Sequence, residues 1–250
     1  MNKPSNETSD HGQHARNLVA LIWVSVIALF GLSAAHAQSE PLKIGIIGTG
    51  NIGGALARHW AGAGHELVIS SRHPEELVEL ADALGPRVRA ATPAEAAEFG
   101  NVVLVSVPYA AMPQIGRDYA ATLAGKIVLD TGNPIVSRDG AMAIEALLKG
   151  SGIASAEFLP GARLVRAFNC IPASSLANDG NREPERLAIP LAGDDAEALE
   201  VAQRLVDDAG FDSVVVGSLE RARQFDLGRP LASGGPFTAA YLRRLADSWQ

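Results

Sequence analysis

Residues 48–53 read Gly-Thr-Gly-Asn-Ile-Gly, a G-x-G-x-x-G pattern. Alone it is common, and its flanks decide its meaning. Lys43–Gly48 (KIGIIG) is an isoleucine-rich run expected as a buried strand, and Asn51–Ala63 places apolar residues at helical spacing. Between a strand and a helix the three glycines acquire separate tasks. Gly48 permits a tight turn, Gly50 lets the backbone approach a pyrophosphate, and Gly53 allows close contact of helix and strand. The helix start adds free N–H groups and a positive dipole end, which suit phosphate. The competing reading is a set of glycines that only make a turn.

The next strand is expected at Glu66–Ser70 (ELVIS), followed by Ser71-Arg72-His73. A site for NAD would place Asp or Glu there, on the ribose hydroxyls. A carboxylate would repel a 2′-phosphate, whereas the Arg72 fork can pair with it and Ser71 can donate a hydrogen bond. The residues therefore point to NADP(H). The bland alternative is Arg72 as a solvated loop charge.

Reduction of a carbonyl by hydride transfer usually needs a proton donor near the oxygen. The six histidines are His11, His14, His36, His59, His65 and His73, none of them in the C-terminal half. Lys126 begins a strand on the side away from the expected cofactor edge, and Lys149 closes a helix. Tyr109, just past a strand ending at Pro108, is the candidate donor and is expected to face the ligand crevice. Its alternative role is an aromatic wall for the nicotinamide or a neighbouring ring. Flavins and deazaflavins accept hydride without a dedicated acid, so an acceptor of that kind fits this set of residues. The single cysteine, Cys170, can form no internal disulfide and supply no thiolate zinc cluster, so no metal is expected; a packing role is expected for it, with a redox role as the alternative.

The elements that must position these groups alternate along the chain. Strands are expected at Lys43–Gly48, Glu66–Ser70, Val88–Ala91, Val102–Val107, Ile127–Asp130, Leu164–Phe168, Leu187–Ala192 and Ser213–Val216. Helices are expected over residues 51–63, 74–84, 93–98, 141–149 and 194–209. That order predicts an α/β fold, a Rossmann-type doubly wound, mainly parallel sheet (residues 38–160) with a small C-terminal α/β lobe (residues 161–250). Residues 1–37 differ. A polar stretch precedes Leu18–Leu32, fifteen residues without charge, and then Ala35-His36-Ala37 gives an A-x-A cleavage pattern. A signal peptide cut after Ala37 and a periplasmic or secreted product are expected. An uncleaved membrane anchor, or a cytoplasmic protein with a misplaced start, are the alternatives. The net charge is −7, the wrong sign for a nucleic-acid groove.

Six segments occur in order: Gly48–Gly53, Ser71-Arg72, Val107-Pro108-Tyr109, Asp130–Pro134 (DTGNP), Arg166-Ala167-Phe168-Asn169 and Leu191–Asp195 (LAGDD). Together they resemble the NADPH-dependent coenzyme F-420 reductases, and the cytosolic oxidoreductase domain of six-transmembrane ferric reductases is similar. The resemblance runs from about Leu42 to Leu231. It implies a nicotinamide stacked on a flat acceptor and direct hydride transfer between the rings. It also implies that Ser71 and Arg72 bind the 2′-phosphate and that Thr49, Asn51 and Ile52 line the pyrophosphate. Pro108 and Tyr109 would flank the adenosine or nicotinamide ribose, Val107 beside them would also belong to the cofactor site, and Asn133 and Asn169 would lie near the nicotinamide and acceptor. For Asn133 the alternative is a turn residue before Pro134, and for Asn169 a loop cap.

Two other functions fit the same nucleotide motif: a non-catalytic dinucleotide-binding module, and an imine or β-hydroxyacid reductase. The latter normally adds a long helical domain, whereas the segment after Gly161 reads as mixed strand and helix. The expected partner is a small-molecule redox acceptor, and the apolar C-terminal strands suggest a homodimer.

Overall fold

Short runs of Ile, Val and Leu, buried on both sides, form the strands. The computed structural model describes Met1, residues 40–229, Leu231 and residues 237–248, so the expected leader lies outside the described residues apart from Met1. Strands β1 (Lys43–Ile47), β2 (Glu66–Ser70), β3 (Val88–Ala91), β4 (Val102–Val105), β5 (Ile127–Asp130), β6 (Arg163–Arg166), β7 (Ala188–Gly193) and β8 (Asp212–Gly217) make one sheet in the order β3-β2-β1-β4-β5-β6-β7-β8. The first six are parallel; β7 runs antiparallel to β6, and β8 is parallel to β7. The direction changes once, where the sheet passes into the small C-terminal portion. Strands β6, β7 and β8 thus continue the sheet of the first portion.

The helices are α1 (Asn51–Gly62), α2 (Val78–Leu84), α3 (Pro93–Phe99), α4 (Met112–Leu123), α5 (Val136–Asp139), α6 (Ala141–Lys149), α7 (Ser151–Phe158), α8 (Ala173–Asn178), α9 (Ala196–Asp208) and α10 (Ala239–Asp247). Alternate strand residues face opposite layers. Ile44, Ile46, Val102, Leu104 and Leu129 pack with α1, α2, α8 and α9. Ile47, Val103, Val105 and Val128 pack with α3, α4, α6 and α7. At the far end, α10 and a 3-10 segment, Leu219–Phe225, cover β7 and β8 with Phe225, Leu231 and Leu242 buried. Sequence spacing misses α4, because its first turn carries Pro113 and its interior carries Gly116. Both are poor helix residues in isolation, but Pro113 sits in the first turn, where proline is tolerated.

Two contacts, one buried and one half-buried, tie α1 to the C-terminal portion. Trp60 Nε1 donates to Leu205 O (2.8 Å) and His59 Nε2 to Leu176 O (2.7 Å). At the opposite end of the sheet from the glycine turn, His65 is buried. Its Nδ1 accepts from Leu42 N (3.1 Å), so Nε2 carries the proton and donates to Asp208 (3.0 Å).

Candidate active site

The sheet order reverses between β1 and β4, which places a ligand crevice at the C-terminal ends of those strands. The glycine turn sits there. Gly48 has φ +97°, and a Cβ on it would lie 2.3 Å from Ser106 O. Its N–H and that of Thr49 both donate to Ser70 O (3.1 and 3.0 Å), and Thr49 Oγ1 donates to the same oxygen (3.1 Å), so the turn is pinned to the end of β2. A Cβ on Gly53 would lie 2.1 Å from Gly48 O, which is the close approach of helix and strand.

Gly50 is different. It has φ −82°, and a Cβ there would meet nothing within 4 Å. The fold does not need a glycine at this point; the space belongs to whatever approaches the backbone. No side chain caps α1 and no acidic residue stands in its first turn, so an anion meets the N–H groups of Asn51 and Ile52 unopposed. A pyrophosphate fits this cradle.

Beyond β2, Arg72 is exposed and makes no hydrogen bond or ion pair with another described residue. The Ser71 hydroxyl oxygen accepts from His73 N (2.9 Å), which holds the turn and leaves the O–H proton free to donate. Both groups therefore remain available to an added phosphate. Val107 lies against the glycine turn, since a Cβ on Gly48 would come within 2.9 Å of its Cγ1. Pro108 is exposed beside it.

Tyr109 does not face the crevice. Its side chain is fully buried, edge-on to Phe158, and its hydroxyl lies 3.3 Å from Ser151 O and 3.0 Å from Ser155 Oγ. Burial pushes the phenol up to about 12, despite the Ser155 contact that works the other way. The strand end does lie at the crevice, as expected. However, the 3-10 turn at Tyr109–Ala111 swings the ring inward, where an aromatic side chain buries most surface.

The structure brings Asn133 and Asn169 together. Asn133 Nδ2 donates to Asn169 O (2.7 Å), and Asn169 Nδ2 donates to Asn133 Oδ1 (3.2 Å) and to Phe225 O (2.9 Å). The two acceptors fix which way the Asn169 amide points. Its Oδ1 is then left buried without a partner among the described residues. An orphaned acceptor of this kind costs about 1–3 kcal/mol, and a carboxamide N–H of a bound nicotinamide is a donor of the right chemistry for it. Phe168, just before Asn169, has φ +60°, rare for a side chain of its size. Its ring is buried edge-on to Trp60 at 6.2 Å, so α1 helps hold the strained backbone. Strain of this sort gathers at functional sites.

Two sets of contacts that spacing does not reveal hold this end of the site. Asp130 and Arg166 are register partners on β5 and β6, and their side chains form a fully buried ion pair of 2.5 Å. An opposite-signed pair closing two apolar strands is the available signal, visible once the strands are known to be neighbours. The second is the Asp139 carboxylate, which accepts from Ile135 N (2.9 Å), Ala110 N (3.4 Å) and Arg138, while Arg138 donates to Asn133 O (2.8 Å). These bonds hold the Asp139 carboxyl below its usual range, the Arg138 bond contributing most. Cys170 follows Asn169, and burial pushes its thiol up to about 12, so at neutral pH it is a protonated packing residue. Among the described residues, no cluster of His, Cys, Asp and Glu could hold a metal.

Comparison with known proteins agrees with this geometry. Residues 43–134 match the family described as NADP oxidoreductase, coenzyme F420-dependent. The F420-dependent NADP reductase of Methanothermobacter marburgensis is 33% identical over 204 residues, covering 76% of this chain and 90% of that protein. The metalloreductase STEAP3 of Rattus norvegicus is 30% identical over 202 residues, covering 78% of this chain but 38% of that longer protein. A solved structure of a putative F420-dependent NADP reductase from Arthrobacter sp. FB24 superposes with a TM-score of 0.60 at 26% identity, covering 73% of this chain and 87% of that one. With a sequence match that spans three quarters of its length and nine-tenths of the M. marburgensis reductase, the chain belongs to the coenzyme F420-dependent NADP oxidoreductase family.

Proposed function

We propose that the chain passes hydride from NADPH to a flat, flavin-like or deazaflavin acceptor, directly and without a covalent intermediate. One observation carries the choice of acceptor. The end of the crevice opposite Arg72 is furnished with the neutral amides of Asn133 and Asn169, and no described acid stands beside them ready to give up a proton. Tyr109 is buried, and burial pushes both its phenol and the Cys170 thiol up to about 12, which makes them weak acids at neutral pH. His59 is committed to Leu176 O, and His65 lies at the opposite end of the sheet. A carbonyl or imine substrate needs such an acid, whereas a conjugated ring spreads the incoming charge and takes its proton from solvent.

Bound in the cradle, the dinucleotide supplies the hydride that the acceptor ring takes up. The chain's own part is placement. First-turn N–H groups of α1 hold the pyrophosphate, and Ser71 with Arg72 holds the 2′-phosphate. Asn133 and Asn169 orient the carboxamide and exclude water at the reacting face. Full-length protein is to be assayed with NADPH against FMN, FAD, a deazaflavin and ferric chelates. NADPH deuterated at the transferred position should deliver its label to the reduced deazaflavin. Oxidation with the label lost to solvent would refute direct transfer, and saturable binding without oxidation would favour a non-catalytic dinucleotide module.

The A-x-A pattern ending at Ala37 supports export of the mature chain. N-terminal sequencing of the natural product should then begin at Gln38.

A further inference from the structure

Arg166 never reaches the crevice, yet its contacts decide where the crevice asparagines stand. Its Nη1 donates to Asp130 Oδ2 (2.5 Å) and its Nη2 to Gly132 O (2.7 Å). The other Asp130 oxygen accepts from Gly132 N (2.7 Å). Both polar groups of Gly132 are thereby bound to one ion pair, and the pair itself joins β5 to β6. Gly132 is also packed against the Tyr109 ring, which a Cβ on it would approach to 2.9 Å. Asn133 is the next residue, and Asn169 stands three residues after Arg166.

We propose that Arg166, together with Asp130, is a positioning residue for hydride transfer, setting the separation of Asn133 and Asn169 at the nicotinamide end of the site. The proposal rests on the reading that these asparagines face the nicotinamide. Energetics make the pair's presence informative. Burying two charges costs desolvation that their attraction barely recovers, and apolar residues of similar volume often stabilise a core at least as well. A fork that binds a carboxylate and a backbone carbonyl at once supplies geometry that an apolar pair does not.

The test uses full-length protein and two variants. The double substitution Asp130→Leu/Arg166→Met removes both charges and leaves an apolar pair. Arg166→Lys keeps the charge but replaces the planar fork by a single ammonium that cannot span Asp130 and Gly132 O in the same way. Active sites are counted by binding of 2′,5′-ADP, which engages only the adenosine end and should bind all three proteins equally. Per counted site, kcat with NADPH and the preferred acceptor should fall on the order of 10²-fold in both variants, the cost of a misplacement near 1 Å. The margin by which NADP+ binds more tightly than 2′,5′-ADP should shrink in parallel. A wild-type kcat and an undiminished margin in the double variant would overturn the proposal. Should the double variant fail to fold, the same result in Arg166→Lys would overturn it. A wild-type protein with no such margin refutes instead the placement of the asparagines at the nicotinamide, and one without turnover refutes the proposed reaction.

Discussion

Replacing Gly50 by Ala separates a glycine required by the fold from one required by a ligand. The new Cβ has nothing within 4 Å, and φ −82° is open to any residue. Loss of a glycine at the N-cap costs under about 1 kcal/mol, which for a chain of this size lowers the melting temperature by roughly 2–4 °C at most. The methyl group would instead stand where the pyrophosphate approaches. Lengthening two charge-assisted N–H contacts, each worth about 1.5–3 kcal/mol, forfeits about 3 kcal/mol, or roughly 10²-fold in affinity. Gly53→Ala makes the opposite case. Its Cβ would lie 2.1 Å from Gly48 O and 3.3 Å from Ile46 Cγ2, and no rotamer relieves a clash with backbone. Overpacking of that kind costs about 1–3 kcal/mol, so this variant should melt clearly below the parent. Calorimetric titration with NADPH and thermal melts of the three proteins check both halves. A Gly50→Ala protein that binds NADPH within about twofold of the parent would show that no phosphate lies over this residue.

Arg72→Ala should raise KM for NADPH about 10- to 100-fold, the worth of a charge-assisted contact, while leaving KM for NADH nearly unchanged; equal effects would remove the 2′-phosphate from Arg72. Tyr109→Phe should cost about 1 kcal/mol of stability through its lost hydroxyl contacts and leave kcat unaltered, whereas a proton donor at this position would show a large fall in kcat. Burial holds the His65 pKa below its ordinary value, outweighing the opposing influence of Asp208. The unfolded chain therefore binds the proton more readily. The stability tied to neutral His65 is complete above the ordinary histidine pKa near 6.5 and is lost as pH falls from there through the lower folded value. Urea midpoints measured from pH 7.5 to 5 should drop more steeply in the parent than in His65→Gln; parallel curves would refute the assignment.

Much of this was legible in the residues because the nucleotide half is written locally. The strand, the glycine turn, the helix start and the Ser71-Arg72 pair lie within one β-α-β unit, and hydrophobic spacing is enough to place them. The Tyr109 side chain was not legible. Its position at a strand end follows from sequence, but its direction depends on α7, which presents Ser151 and Ser155 to the hydroxyl. Asn133 and Asn169 stood out as segments, yet their pairing needs β5 and β6 to be neighbours. The antiparallel entry of β7 leaves no mark in composition, since a buried strand reads alike in either direction. Helix α4 escaped because Pro113 and Gly116 weaken its pattern, and Gly116 is tolerated there because α7 comes so close: a Cβ would meet Phe158 O at 1.8 Å.

The carbonyl of Phe225 belongs to a segment that follows the last strand of the sheet, yet it holds the Asn169 amide, and the adjoining Asp226 receives the N–H of Ser151 at 3.1 Å. This imposes an order on maturation. A nascent chain ending before Leu219 already carries every residue of the glycine turn and the Ser71-Arg72 pair, but lacks the carbonyl that fixes the Asn169 amide. The glycine turn is complete within the first β-α-β unit, whereas the setting of the Asn169 amide waits for a segment that also covers β7 and β8.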